Sequence, residues 1–379
     1  MEKGTTREVY LDWIRVIATA CVFLYHCSMF FNPFPWHVKN NVINSGSVLV
    51  FSLFIGTWIM PLFFGISGIT AKYSLAKRTN TAYLKERLLR LGLPLVFGVL
   101  FLTPHQVFIE RKVNEQFNGT FLEFIPHYFD GLYLEIGGTG NFAFFGLHLW
   151  YLLALLIFSV AALPVFRRLR RNTNRTYLFF LLPIILMVSG LIKTQALGGW
   201  DLVYYFMVFM IGYFFFSNPS FLDQAIKSIK IYYLVAAITT ILHIYWFIYA
   251  LPLPGTIQDW LFFMNKVLNC WCMMLCIFHV GKIYFSFSSS YLRYLSEASM
   301  PFYIFHQPVI VVLGFALRNL DMPLYLKMVN LVTVSFAIIM ICYHFVIRKL
   351  SFLRLLFGLK PQEVSVRNNP LTQSNPVTK

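Results

Sequence analysis

Charge is what this sequence has least of. Only 12% of its 379 residues are charged, about half the share of a soluble domain. Acidic side chains are scarcest, at 15 against 31 Lys and Arg. With 58% hydrophobic residues, 18% aromatics and a mean hydropathy of +0.66, water cannot be the main solvent of the fold. Cysteine is sparse as well. Cys21, Cys27, Cys270, Cys272, Cys276 and Cys342 all lie in apolar runs, so no disulfide framework is expected. Cys272 and Cys276 sit one turn apart, but no carboxylate or second histidine pair joins them. They are read as small apolar filler, and no metal is expected. No internal repeat is present, and the glycine-rich GLYLEIGGTGNFAFFG lacks a phosphate-loop pattern. The first apolar run holds Arg15 and His26 and has no small-residue cleavage site before Pro33, so it reads as a signal anchor.

What is abundant comes in long runs. A membrane-spanning helix needs about 20 predominantly apolar residues. Runs of adequate length fall at about 11–31, 47–71, 91–109, 147–166, 177–193, 201–217, 231–251, 257–281, 298–317 and 325–347. They are continuous and not alternating, which selects helix over strand. The expected fold is an all-α polytopic integral membrane protein of about ten transmembrane helices. The expected division is a membrane-embedded domain over 1–350 and a disordered polar tail over 351–379.

The net charge of +16 is an orientation signal. With the N-terminus in the cytoplasm, the inner segments collect about 23 of the 31 Lys and Arg. Lys72, Lys77, Arg78, Lys85, Arg87 and Arg90 form one cluster, and Arg167, Arg168, Arg170, Arg171 and Arg175 another. Glu110, Glu115, Glu123, Asp130 and Glu135 gather in the loop at about 110–146 on the opposite side. An even number of spans then returns the C-terminus to the cytoplasm. The partner implied is a lipid bilayer, and not nucleic acid.

Ionisable groups inside a span cost about 2.5–3.5 kcal/mol on insertion scales, so each is a functional candidate. The first helix is richest. In LDWIRVIATACVFLYH, Asp12 and Arg15 are three apart near the inner end, and His26 follows Arg15 by eleven residues. Eleven residues at 100° each make about three turns, so Arg15 and His26 share a face roughly 16 Å apart along the axis. Arg15 alone reads equally well as a snorkelling topology signal, and His26 alone as a histidine bonded to a neighbouring helix. The pair says more than either member. His148 opens a helix and His306 lies inside one, while His243, His279 and His344 read as structural and His105 and His127 face water. Trp36 and His37 sit in a short outer connection, where the indole suits an interface belt or a carbohydrate platform. Ser67 stands between glycines that allow close packing. Arg87 and Arg90 share a helical face before a span, as snorkelling cations or as a cationic pocket for phosphates.

Together these residues resemble membrane acyltransferase family 3. Arg15 and His26, separated by ten residues in the first helix, carry the most specific feature. FFGISG at 63–68, Arg87 and Arg90 followed by Pro94, HLWYL at 148–152 and YLSEASMPFYIFHQPVIV at 294–311 extend it over nearly the whole chain. LDWIRV, PWHVKNN and SEASMPFYIFHQPV look most like the branch containing the periplasmic glucan succinyltransferases. Two features depart from the pattern: Ile69 stands where phenylalanine is usual, and no fused esterase-like domain is present.

The resemblance implies transfer of an acyl group, acetyl or succinyl, from a cytoplasmic acyl-CoA-type donor. The acceptor is a hydroxyl beyond the membrane, such as that of a glycan, and no bound cofactor is implied. Arg15, Arg87 and Arg90 would then bind the donor phosphates. His26 would act as general base or carry the acyl group itself. Asp12 would hold Arg15, Ser67, His148 and His306 would support the site, and Trp36 and His37 would lie on the acceptor side. The rival class is a transporter or exporter of a sugar-like or anionic solute, since buried histidines and an arginine also suit proton-coupled movement. No inverted repeat and few embedded carboxylates speak for it.

Overall fold

In the computed structural model, residues 8–168, 178–192, 194 and 199–361 are described. The expected tail beyond Pro361 and the arginines at 170, 171 and 175 lie outside them. The ten apolar runs correspond to ten helical stretches. These are α1 (Val9–Met29), α2 (Ser47–Leu75), α3 (Asn80–Val113), α4 (Leu147–Arg168), α5 (Leu178–Ser189), α6 (Leu202–Phe216), α7 (Ile229–Tyr249), α8 (Ile257–Tyr284), α9 (Ser290–Leu317) and α10 (Leu324–Ile347). Eight are long and apolar enough to cross a bilayer. The exceptions are α5, with 12 helical residues among those described, and α6, which bends by 94° into the short helix Pro219–Ile226. No strand forms among the described residues, so the fold is an all-α polytopic membrane bundle.

Burial separates centre from rim. Within their spanning windows α2 is 67% and α8 61% buried, whereas α7 is 17% and α10 28% buried. The last two therefore present Ile238, Ile241, Phe336 and Ile341 outward, the arrangement of helices that face lipid. α1, 39% buried, packs on α2, α8 and α9.

Glycine explains the tightest crossing. A Cβ on Gly68 would stand 2.1 Å from the Phe209 carbonyl oxygen, and one on Gly212 2.2 Å from that of Gly65. Only hydrogen fits there, so α2 and α6 meet backbone to backbone. α7 and α8 are joined by polar bonds instead. Asn269 Nδ2 donates to Thr240 Oγ1 at 2.7 Å and Thr239 Oγ1 at 3.0 Å, and Asn265 Nδ2 to the Thr239 carbonyl at 3.0 Å.

α3 contains two five-residue π-turns, Leu88–Gly92 and Gly98–Leu102, and a proline follows each by two residues (Pro94 and Pro104). Proline has no N–H for the helical ladder, and each π-turn inserts one extra residue where the ladder opens. The extra residue changes what the arginines face. Arg87 and Arg90, expected on one side, diverge: Arg87 stacks over the Tyr83 ring at 5.0 Å, and Arg90 reaches Glu86 at 3.5 Å and the Gly358 carbonyl at 3.3 Å. The packed chain also runs past the boundary expected at 350. Ser351–Leu356 is helical, Phe357 and Leu359 are buried, and Arg354 pairs with Glu297 at 2.7 Å.

Two ends of the bundle follow from these contacts. At one, Trp13 of α1 donates to the Phe287 carbonyl before α9, and the segment after α10 docks on α3 and α9. Both ends of the described chain therefore lie together. At the other lie the connection 30–46 and the loop 114–146, whose helix Phe121–His127 opens with a Thr120–Glu123 capping box.

Candidate active site

α1 runs unbroken, so Arg15 and His26 keep the shared face that their spacing dictates. Near the first end, Arg15 Nη1 meets Asp12 Oδ1 at 3.4 Å, and Asp12 is buried. Arg15 and Arg87 both lie within electrostatic reach of the Tyr151 hydroxyl. That hydroxyl bonds Ser67 Oγ at 2.7 Å and the Phe63 carbonyl at 3.4 Å, so HLWYL and FFGISG meet through Tyr151. The Tyr151 ring lies 6.0 Å from that of Tyr303 on α9, whose hydroxyl donates to the His148 carbonyl at 2.5 Å. A line of polar side chains thus climbs from the two arginines into the middle of the bundle.

It ends on three imidazoles, His26, His148 and His306, from α1, the start of α4 and α9. His306 lies 4.8 Å from His26 and 5.1 Å from His148, ring to ring. Their partners assign the protons, because a carbonyl oxygen can only accept. His306 Nδ1–H donates to the Tyr303 carbonyl at 2.5 Å, leaving Nε2 as its lone pair. His26 Nδ1–H donates to the Val22 carbonyl at 3.0 Å and faces His306 Nε2, also at 3.0 Å. The lone pair of neutral His26 is therefore on Nε2. His148 Nε2–H donates to the Ile304 carbonyl at 3.1 Å, and its buried Nδ1 has no partner. His148 and His306 are buried, while His26 is half-buried. The arrangement is that of a base, His26, with a second imidazole oriented to share its proton.

Towards the loop end, the Trp36 ring lies 5.4 Å from His26. The next residue, His37, is buried and places Nδ1 2.5 Å from Glu110 Oε2 and Nε2 3.1 Å from Gln307 Nε2. Glu110 is fully buried, and its two oxygens take four donors. Oε2 also accepts from the Tyr133 hydroxyl at 2.7 Å, and Oε1 from the Gly137 amide at 2.8 Å and Arg111 Nη1 at 3.2 Å. Such saturation is what a buried carboxylate requires. Burial, then the Glu110 charge, pushes the Tyr133 phenol far above its usual range, so it stays a donor. Arg111 holds the loop through Asn141 Oδ1 at 2.8 Å and the Gly140 carbonyl at 2.6 Å. Nearby, Lys39 Nζ donates to the carbonyls of Met29, Asn32 and Phe34 and closes the end of α1; partial burial lowers its ammonium to about 8.

Of the residues singled out in the sequence, His26, His148, His306, Trp36 and His37 come together, Ser67 bonds Tyr151, and Asp12 and Arg15 pair near the other end of α1. Arg87 stacks on Tyr83, whereas Arg90 turns toward Glu86 and the C-terminal segment. Glu110 was counted only as outer-loop charge, and Tyr151, Tyr303 and Gln307 were quoted within motifs without being singled out. A lone buried acid at the end of a span was the available signal for Glu110. The remaining five histidines have local contacts: His105 stacks on Phe121, His127 bonds Asp130, His243 stacks on Phe262, His279 bonds Tyr233 and His344 bonds Tyr294.

The acyltransferase-domain family matches residues 8–347. Among curated proteins, the chain is similar to "Glucans biosynthesis protein C" from Salmonella paratyphi B, Salmonella heidelberg and Salmonella agona. Each is 23% identical over 94% of this chain and 95% of its own length. No solved structure matches.

Proposed function

The chain belongs to the acyltransferase-domain family, and from that premise we propose that it moves an acyl group from a cytoplasmic acyl-CoA-type donor to a glycan hydroxyl beyond the inner membrane. The observation that carries this reading is the polar track from Ser67 through Tyr151 and Tyr303 to the His26–His306 pair, with Arg15 on the face of α1 that carries His26. Guanidinium groups recognise phosphates through paired hydrogen bonds, so Arg15 and Arg87 hold the donor's phosphates while its thioester reaches inward. Asp12 steadies Arg15.

At the far end of the track, His26 Nε2 removes the proton of the acceptor hydroxyl, and the oxygen attacks the thioester carbonyl. His306 accepts from His26 Nδ1–H and thereby stabilises the imidazolium that forms. The thiolate leaves and recovers the proton. His148 lies against His306 as a further supporting imidazole. A glucan acceptor is supported by the name of the similar Salmonella proteins, and the transferred group is acetyl or succinyl.

The test uses purified protein in lipid nanodiscs with acetyl-CoA or succinyl-CoA and a soluble glucan oligosaccharide. Acylated sugar together with free thiol, formed by wild type and not by His26→Ala, supports the reading. Thiol release that ignores the sugar contradicts the glycan acceptor.

A further inference from the structure

Three indole nitrogens among the described residues are closed off from solvent without a hydrogen-bond acceptor: those of Trp36, Trp58 and Trp260. An orphaned buried donor costs about 1–3 kcal/mol and calls for a reason. Of the three, only Trp36 is in ring contact with an imidazole of the cluster, His26, at 5.4 Å with 34° between planes. His26 contributes the complementary feature. Its Nδ1–H is taken by the Val22 carbonyl and His306, and its Nε2 lone pair has no partner. A free donor and a free acceptor therefore sit side by side at the loop end of the track.

Resting on the acyl-transfer reading above, we propose that Trp36 is a further catalytic residue whose indole N–H stabilises the oxyanion of the tetrahedral intermediate. The acceptor O–H bond breaks as His26 Nε2 takes the proton. The acceptor oxygen bonds to the thioester carbon, and the carbonyl π pair moves onto its oxygen, which accepts from Trp36 Nε1–H. That pair then re-forms the carbonyl, the carbon–sulfur bond breaks, and the thiolate takes the proton back from His26. The products are one ester and one thiol. A preorganised donor in a site shielded from water is worth most where charge develops, and the closed environment of the Trp36 nitrogen meets that requirement.

The surroundings hold the indole in place. Pro33 and Pro35 restrict the backbone before it. His37 follows it, clamped between Glu110 and Gln307. Gln307 neighbours His306, so one buried network positions Trp36 and the imidazole pair together. Glu110 and His37 are then positioning residues for the donor.

Nanodisc kinetics with the acyl-CoA that wild type turns over test this on Trp36→Phe, which keeps a ring and removes the N–H. The expected result is a fall in kcat of about 10²-fold, with donor KM, the shape of the pH profile and the melting temperature unchanged. Benzothienylalanine at position 36, with sulfur in place of N–H, repeats the measurement if Trp36→Phe fails to insert. Retention of at least half the wild-type kcat overturns the proposal, as does a loss confined to acceptor KM, which would make Trp36 a sugar platform only. His26→Ala separates the two levels. If wild type itself forms no ester and no thiol, the acyl-transfer reading fails; if His26→Ala stays active, the base role of His26 fails; if it is inactive while the Trp36 variants are active, only the oxyanion role falls.

Discussion

At the scale of single residues, the account rests on which nitrogen carries which proton. His306 accepts from His26 because its own Nδ1–H is committed to the Tyr303 carbonyl. His306→Leu is therefore expected to lower kcat by about 10–100-fold, less than the 10²–10⁴-fold of His26→Ala, since only the orientation and charge of the base suffer. Rates normalised to inserted protein check this, and equal losses would make the two imidazoles a single unit. Arg15→Ala and Arg87→Ala are expected to raise donor KM about tenfold each while acceptor KM stays put. Arg90→Ala is expected to do so far less, because Arg90 reaches toward Glu86 and Gly358. Arg15 and His26 were legible because an unbroken helix converts spacing into geometry. The Glu110–His37 bond was not, since it joins positions 73 apart whose pairing depends on how three connections fold together.

At the scale of elements, hydropathy located all ten helical stretches but not their breaks. α6 reads as a span in composition, yet it turns sharply into Pro219–Ile226, because local backbone and packing set where a helix stops. The prolines of α3 were visible and the π-turns before them were not, so the divergence of Arg87 and Arg90 came only with the structure. The glycines in FFGISG were rightly read as a packing device, and their partner Gly212 is now named. Gly212→Leu is expected to force α6 off α2, since even a Cβ would lie 2.2 Å from the Gly65 oxygen. Overpacking of this kind costs about 1–3 kcal/mol. Thermal unfolding in detergent should drop by several degrees, and an unchanged melting temperature would mean that the crossing is looser than described. Asn269→Leu is expected to weaken the α7–α8 pair in the same assay by about 1 kcal/mol, near the mean for polar contacts between membrane helices.

For the whole molecule, the distribution of Lys and Arg leads us to expect the end that holds Arg15 and Arg87 in the cytoplasm. Lys77 and Asn118 are exposed at opposite ends of α3. In intact spheroplasts a membrane-impermeant maleimide is expected to label Asn118→Cys, and to label Lys77→Cys only after lysis; the reverse pattern would invert the protein and detach the arginines from a cytoplasmic donor. Fold class was the most readable property, because a bilayer imposes it through composition alone. The substrate is the least readable, since it depends on a few side chains at the loop end. The central claim is that this membrane acyltransferase modifies an envelope glycan through His26. Mass spectrometry of envelope glycans from cells expressing wild type, His26→Ala or neither tests it most directly. The account predicts an acyl-sized mass increment with wild type alone, whereas identical glycans in all three, with the protein expressed and inserted, would contradict it.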